Sequence, residues 1–465
     1  MYYPEEVIEE VRMRSDIVDV ISGYVKLQKK GSNLFGLCPF HHEKSPSFSV
    51  SPSKQMYHCF GCGVSGNVIT FVMEYENYSF REAVEMLADR SGVKLPKMEY
   101  SKEAKAKADR KAALLEINKL AANYFYYQLK QPQGKIGYDY LVKRKLTDET
   151  IRRFGLGFSN KISDDLYRYL KSKGYEDELL KDTGLVTIEE RGARDKFWNR
   201  VMFPIMDVNS RVIGFGGRVL GDGEPKYLNS PETMLFDKSR NLYGLNYART
   251  SRKKYMMLCE GYMDVISMHQ AGYTNAVASL GTALTEQHAA LLKRYTDQVI
   301  LTYDSDGAGV KAALRAIPIL KRAGISTKVL NMRPYKDPDE FMKNLGAEEF
   351  EKRIETARNS FLYEIDVLKA GFDMEDPEQK TAFYNQTARK LLEFGEALER
   401  DNYIQAVSRE YFINYEDLRR LVNQLGSRYG VGEVGGSVGS AGAVAENRGA
   451  GNAEFPGNAG PAVRP

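Results

Sequence analysis

The sequence is poor in cysteine, in long apolar runs and in net charge, and each shortage removes a class of protein. Four cysteines in 465 residues cannot build a disulfide scaffold; they point to a reducing compartment, and a cytoplasmic location is expected. No run of 18 or more apolar residues occurs, so a membrane span is not expected. The start, MYYPEEVIEEVRMRSDIVDVISGYV, is acidic and amphipathic and lacks the basic and apolar regions of a secretory leader. Net charge is only +4, so no global field draws nucleic acid, and local clustering has to carry any such binding. There is no internal repeat. What remains is a globular composition, 43% hydrophobic and 28% charged, long enough for two to four domains with cores of their own.

Composition shifts divide the chain. Residues 1–100 hold three of the four cysteines, and the Ala/Lys-rich segment 101–130 reads as a helical linker. Residues 254–340 alternate strand and helix patterns (KYMMLCEG, YMDVISMHQAG, NAVASLG, TEQHAALLKRY, QVILTYDSD, AGVKAALRAIPILKRAG, STKVLNM), which implies parallel strands with crossover helices. Residues 341–425 read as helical, and 426–465 form a Gly-rich tail expected to be disordered. The basic runs at 102–119 and 248–255 have a bland explanation as solvated helix faces or connections.

One constellation is metal-like. Cys38 and His41 form C-x2-H, and after seventeen residues Cys59 and Cys62 form C-x2-C. Two such knuckles wrap one tetrahedral Zn²⁺ in a closed, structural site. The segment between them, SFSVSPSKQMYHCF, alternates as a hairpin does, giving a zinc ribbon. His42 and His58 compete as ligands, but the matched spacing favours His41. Phe48, Tyr57 and Phe60, near Lys44 and Lys54, either stack on unpaired bases or form the hairpin's small core.

A second constellation is acidic. LCEGYMDV offers Glu260 and Asp264, YDSDGAG offers Asp304 and Asp306, and RPYKDPDEF offers Asp337 and Asp339. Six carboxylates near one sheet edge repel one another unless cations intervene, and two or more Mg²⁺ or Mn²⁺ ions resolve the conflict. A calcium-binding EF-hand loop starting at Asp304 fails because Arg315 stands at its twelfth position. A phosphatase-type aspartate motif would place Thr at Ala308 and leaves Glu260 unexplained. Cys259, inside an apolar strand, reads as core.

The order E-G…D, D-x-D, D-x-D resembles the Toprim domain. The zinc segment (CPFH, EKSPSFSV, YHCFGCGVSGN) and the middle segment (NRVMFPI, RVIGFGGRVL, PKYLNSPET) are similar to the bacterial DnaG-type primase family over about residues 1–425. The resemblance implies a multidomain α+β and α/β chain. Its parts would be the zinc ribbon, a mixed α+β subdomain over 131–253, a Toprim parallel sheet over 254–340 and a helical subdomain over 341–425.

The implied activity is DNA primase: a nucleotidyltransferase making short RNA primers on single-stranded DNA from ribonucleoside triphosphates, with an RNA–DNA hybrid as product. Asp304, Asp306, Asp337, Asp339 and Glu260 would hold Mg²⁺ or Mn²⁺. Glu260, Asp264, Asp304 and Asp306 would be catalytic, with Glu260 either ligand or proton shuttle. Arg153, Arg200, Arg218, Lys226, Tyr227 and Lys238 match positions that hold template or triphosphate, although surface charge alone would explain any one of them. The family's replicative-helicase-binding domain is expected to be absent, because only the Gly-rich tail follows residue 425. A Toprim topoisomerase or nuclease, and a zinc-containing single-strand-binding adaptor, are the competing readings.

Overall fold

The computed structural model describes residues 3–41, 43, 45–76, 78–96, 102–190 and 192–429. His42, Lys44 and the tail from 430 lie outside the described residues. The chain divides into two compact units, residues 1–364 and 365–465.

In the first unit, the cysteine-bearing segment folds as a five-stranded antiparallel sheet. The expected hairpin pairs Phe48–Ser51 with Met56–Cys59, Val50 opposite Tyr57 and Phe48 opposite Cys59. That register puts Phe48 and Tyr57 on the inner face, stacked 5.2 Å apart and buried with Phe71. They are core. Phe60, 71% exposed, is the one aromatic of the three left at the surface. Four helices, Glu5–Arg14, Ile17–Ser22, Val68–Glu76 and Phe80–Ser91, close this small core.

The middle segment is a four-stranded sheet in the order Tyr227–Asn229, Val212–Val219, Arg200–Met206, Gly157–Ser159, antiparallel throughout. The segment 101–130, expected as a linker, is a 28-residue helix, Lys102–Leu129. Its second half is packed rather than free: Ile117, Ala121 and Phe125 are buried with Met202 and Phe215, and the Phe125 and Phe215 rings meet edge-on at 5.4 Å. Strand residue Gly157 allows the crossing, since a Cβ there would stand 2.6 Å from the Phe125 Cβ.

The alternating segment forms a parallel sheet ordered Ala276–Ala278, Met256–Cys259, Gln298–Leu301, Ser326–Val329, with Arg358–Asn359 added antiparallel at one edge. Met256, Met257, Leu258 and Cys259 are all buried, as expected of a strand covered on both faces. The helices Tyr262–Gln270, Glu286–Lys293 and Gly307–Arg322 make the crossovers.

In the second unit, the helices Pro377–Leu391, Ala397–Tyr411 and Tyr415–Tyr429 bury Phe383, Leu391, Ile404, Val407, Leu418 and Val422.

Candidate active site and metal centre

At the zinc ribbon, the Cys38 and Cys62 sulfurs are 3.8 Å apart, and the Cys59 sulfur is 3.7 Å from His41 Nδ1. All four candidate ligand atoms lie within 4.8 Å of one another, and a tetrahedron with Zn–S bonds of about 2.3 Å has edges near 3.8 Å. The donor set fits Zn²⁺. Backbone N–H groups of Phe40 and Gly61 donate to the Cys38 and Cys59 sulfurs at 3.4 Å each. Glu43, which the sequence did not single out, accepts from Cys38 N at 2.6 Å and lies 3.4 Å from His41 Nε2. It thereby leaves Nδ1 for the metal, the usual outer-shell device. His58 is outside the set and packs edge-on against Phe60.

The acidic groups gather beyond the C-terminal ends of the parallel strands, where ligands collect in such sheets. Glu260 directly follows the strand Met256–Cys259, and its Oε1 accepts from Asp304 N at 2.9 Å. Asp264, one helical turn on, accepts from Gly261 N at 3.0 Å. Asp306 caps the helix Gly307–Arg322 by accepting from Ala308 N and Gly309 N at 3.0 Å. Asp337 caps the helix Pro338–Glu355 through Glu340 N at 2.7 Å. Carboxylates at helix N-termini meet the positive end of the helix dipole. In DSDGAG the second glycine is sterically required: a Cβ on Gly309 would lie 2.0 Å from the Asp304 carbonyl oxygen. The two acidic turns are joined by Ser305 N donating to Lys336 O at 2.7 Å.

Burial pushes Asp264 well above the usual carboxylate range, and the charges of Asp337 and Asp304 push it further, against the pull of the Gly261 N–H. Burial, then neighbouring carboxylates, also raises Glu260 and Asp304, with Lys336 opposing. Exposed Asp306 goes the other way, lowered by its bond from Gly309 N and by Lys336. Lys336 Nζ lies 3.4 Å from Asp304 Oδ2 and 3.3 Å from Asp306 Oδ2. Among the described residues, only the Cys/His set draws three or more candidate ligand atoms within 4.8 Å. The carboxylates thus form an open, repulsive group of hard oxygens, suited to Mg²⁺ or Mn²⁺.

A cavity of about 310 Å³ is lined by Glu260, Asp264, Asp304, Asp337 and Asp339 together with Arg144, Lys226, Tyr227 and Lys336. Four expected site residues are placed differently here. Asp339, expected as a metal ligand, is buried with both oxygens engaged: Oδ2 by Arg144 at 2.9 Å and by Lys343, Oδ1 by the Ser267 hydroxyl. It anchors cations instead of standing open. Arg200, expected at the template, is buried and donates to the carbonyls of Gly217 at 3.0 Å and Pro225 at 2.9 Å; it braces the chain leading to Lys226. Arg153 and Lys238 are exposed and do not line the cavity. Arg153 lies over the Tyr247 ring, and the Lys238 carbonyl accepts from buried His288.

Arg218 donates to the Tyr140 hydroxyl at 2.6 Å and lies over the rings of Tyr140 and Tyr227. Its Nη1 is buried without a partner among the described residues. Arg144 and Lys336 escaped the sequence reading, since nothing in VKRK or RPYK sets them apart from surface charge, and Tyr140 is one of 30 tyrosines with no motif around it.

Comparison with known proteins decides between the readings. Family models match in order: the CHC2 zinc finger at residues 3–103, the DNA primase catalytic core N-terminal domain at 124–249, Toprim-like at 257–342, and the DnaB-helicase binding domain of primase at 363–411. A DNA primase of Clostridium acetobutylicum is 43% identical over 422 residues, covering 90% of this chain and 70% of that one. The chain belongs to the DnaG-type DNA primase family.

A DNA primase of Geobacillus stearothermophilus is 38% identical over 90% of the chain. The crystal structure of the Aquifex aeolicus primase zinc-binding and RNA polymerase domains is 36% identical, with TM-score 0.56, covering 90% of this chain and 99% of that one. A DnaG primase catalytic domain bound to single-stranded DNA is 35% identical, with TM-score 0.57, over 65% of this chain. The function is therefore DNA-directed RNA synthesis by a nucleotidyltransferase, with structural zinc and catalytic Mg²⁺; the topoisomerase alternative gains no support. The match at 363–411 overturns the expected absence of a helicase-binding region. That stretch carries no chemical motif, only helical periodicity, so its sequence looked like generic helical packing.

Proposed function

We propose that the acidic cavity is the site of primer elongation and that its residues divide the work as follows. Glu260, Asp264, Asp304 and Asp337, with Asp306 from the adjoining outer cavity, receive the divalent ions. When bound, these ions neutralise charge and hold the attacking and leaving oxygens of the transfer. Asp304 N–H fixes the Glu260 carboxylate beside the Asp304 carboxylate, where Glu260 can also accept the proton of the primer 3′-hydroxyl. Arg144, held by Asp339, and Lys226 meet the triphosphate. Tyr227 offers a face to a base, and Arg218 lies over the Tyr227 ring and holds it in place. Cys38, His41, Cys59 and Cys62 hold the zinc that orders the N-terminal ribbon, contributing on the order of 10 kcal/mol apparent. Residues 363–411 contact the replicative helicase, and the enzyme works on single-stranded DNA in the cytoplasm.

The observation that carries this reading is the joining of five carboxylates and three cations around one cavity of about 310 Å³. Primer synthesis on single-stranded DNA with ribonucleotides and Mg²⁺ tests it, wild type beside Asp304→Ala. Loss of roughly 10³-fold or more in rate with DNA binding retained is expected where charge stabilisation dominates the barrier. Near-normal synthesis by the variant contradicts the assignment.

A further inference from the structure

Lys336 is placed unlike the other cations of the site. It bridges Asp304 and Asp306 at 3.4 and 3.3 Å, and among the described residues no other ion pair reaches either carboxylate. Both contacts are long, at the outer limit of a hydrogen bond, and the side chain is 56% exposed. Its backbone, by contrast, is fixed at both ends: the carbonyl accepts from Ser305 N at 2.7 Å, and its N–H donates to Glu340 Oε2 at 2.8 Å. The stem is pinned while the ammonium is free to swing, as a compact charge on a flexible four-carbon chain can. Arg144 and Lys343 are different, since both are committed to the buried Asp339 carboxylate. Lys336 also lines two cavities, the acidic one and an outer one formed with Ser305, Arg333 and Tyr335.

We infer that Lys336 is the exchangeable counter-cation of the Asp304–Asp306 pair: it holds the two carboxylates until divalent ions arrive, then swings to pair with the triphosphate of the incoming ribonucleotide. The inference rests on the metal-site reading above. A divalent ion and an ammonium cannot share the same two carboxylates without strong mutual repulsion. Metal binding is therefore an exchange, and the displaced ammonium, unable to leave, presents its three donors where the metal-held phosphates will lie. One residue thus weakens metal binding and strengthens nucleotide binding.

The test uses the full, zinc-loaded chain. Mn²⁺ alone is titrated by the paramagnetic resonance of the free ion. A fluorescent, non-hydrolysable ribonucleoside triphosphate is then titrated at saturating Mn²⁺. For Lys336→Met, Mn²⁺ alone binds about tenfold tighter and the nucleotide about tenfold weaker, the size expected from one unit charge a few ångströms away in a partly solvated site. Opposite shifts are the signature, because a merely structural defect weakens both. Unchanged or weaker Mn²⁺ binding, or unchanged nucleotide binding, overturns the inference. So does equal tightening in Arg333→Ala, which removes a nearby charge from the outer cavity without touching the pair. Asp304→Ala separates the two levels: wild-type Mn²⁺ affinity in that variant overturns the metal-site reading along with this one. Lost affinity there with an unresponsive Lys336→Met overturns this one alone.

Discussion

Arg200 and Arg218 stand on neighbouring antiparallel strands, with Val219 opposite Arg200 and Arg218 opposite Val201, and their surroundings part them. Arg200 spends its guanidinium on two backbone carbonyls, and burial lowers its pKa. Arg200→Ala strands those carbonyls and is expected to cost about 2–4 kcal/mol, the range for buried partners of a charged group, read as a lower urea midpoint. Arg218→Ala loses its bond to Tyr140 and its packing over two rings, so a smaller loss of about 1 kcal/mol is expected together with a raised KM for nucleotide or template. Asp264 supplies a second prediction. Its folded pKa is raised, so the folded state binds more protons than the unfolded one, and stability falls as pH rises above the ordinary carboxylate range. In Mg²⁺-free, zinc-loaded protein the melting temperature should fall as pH rises above the ordinary carboxylate range. Asp264→Asn should flatten that slope and raise Tm at pH 8, while abolishing synthesis. A lower Tm in the variant at pH 8 contradicts the assignment. The acidic motifs were legible as a group because they follow the apolar runs of the parallel strands; the separate role of Asp339, buried between Arg144 and Lys343, was not. Arg144 was not, because the partner that gives it meaning, Asp339, is 195 positions away.

At the scale of elements, the zinc ribbon and the parallel strands could be read directly. Paired x2 spacings fix a knuckle whatever surrounds it, and strands buried on both faces announce themselves as apolar runs. The long helix could not be read this way. Its first turns are charged and Ala-rich, as a connection would be, and its apolar residues Ile117, Ala121 and Phe125 gain significance only from the sheet they cover. Phe125→Ala should cost about 3–5 kcal/mol, as for a fully buried aromatic, measured by chemical denaturation. A change below about 1 kcal/mol would return the helix to the status of a spacer. The acidic turns show a similar split. The strand Gln298–Leu301 ends three residues before Asp304, so the carboxylates ride on the turns beyond the strands, where helix N-termini can orient them.

At the scale of the whole molecule, four family models follow one another along the chain in the order zinc finger, core, Toprim-like, helicase-binding. The last is where sequence reasoning failed, because a contact surface for another protein needs no titratable cluster and leaves only exposed apolar residues behind. Leu398, 77% exposed within 363–411, is such a residue. Leu398→Asp should reduce helicase binding and helicase-stimulated priming about tenfold, the loss of one good apolar anchor, with unstimulated priming unchanged. Stimulation equal to wild type would remove Leu398 from that surface.

The hydrogen bond from Ser305 N to Lys336 O has a mechanical consequence. Two turns from different crossovers, each carrying a pair of aspartates, are clamped together as parts are in a jig. Their spacing has the narrow tolerance of a backbone hydrogen bond, a few tenths of an ångström. If divalent ions sit between the turns as proposed, a change of ionic radius must be met by the carboxylates and not by the gauge between the two turns.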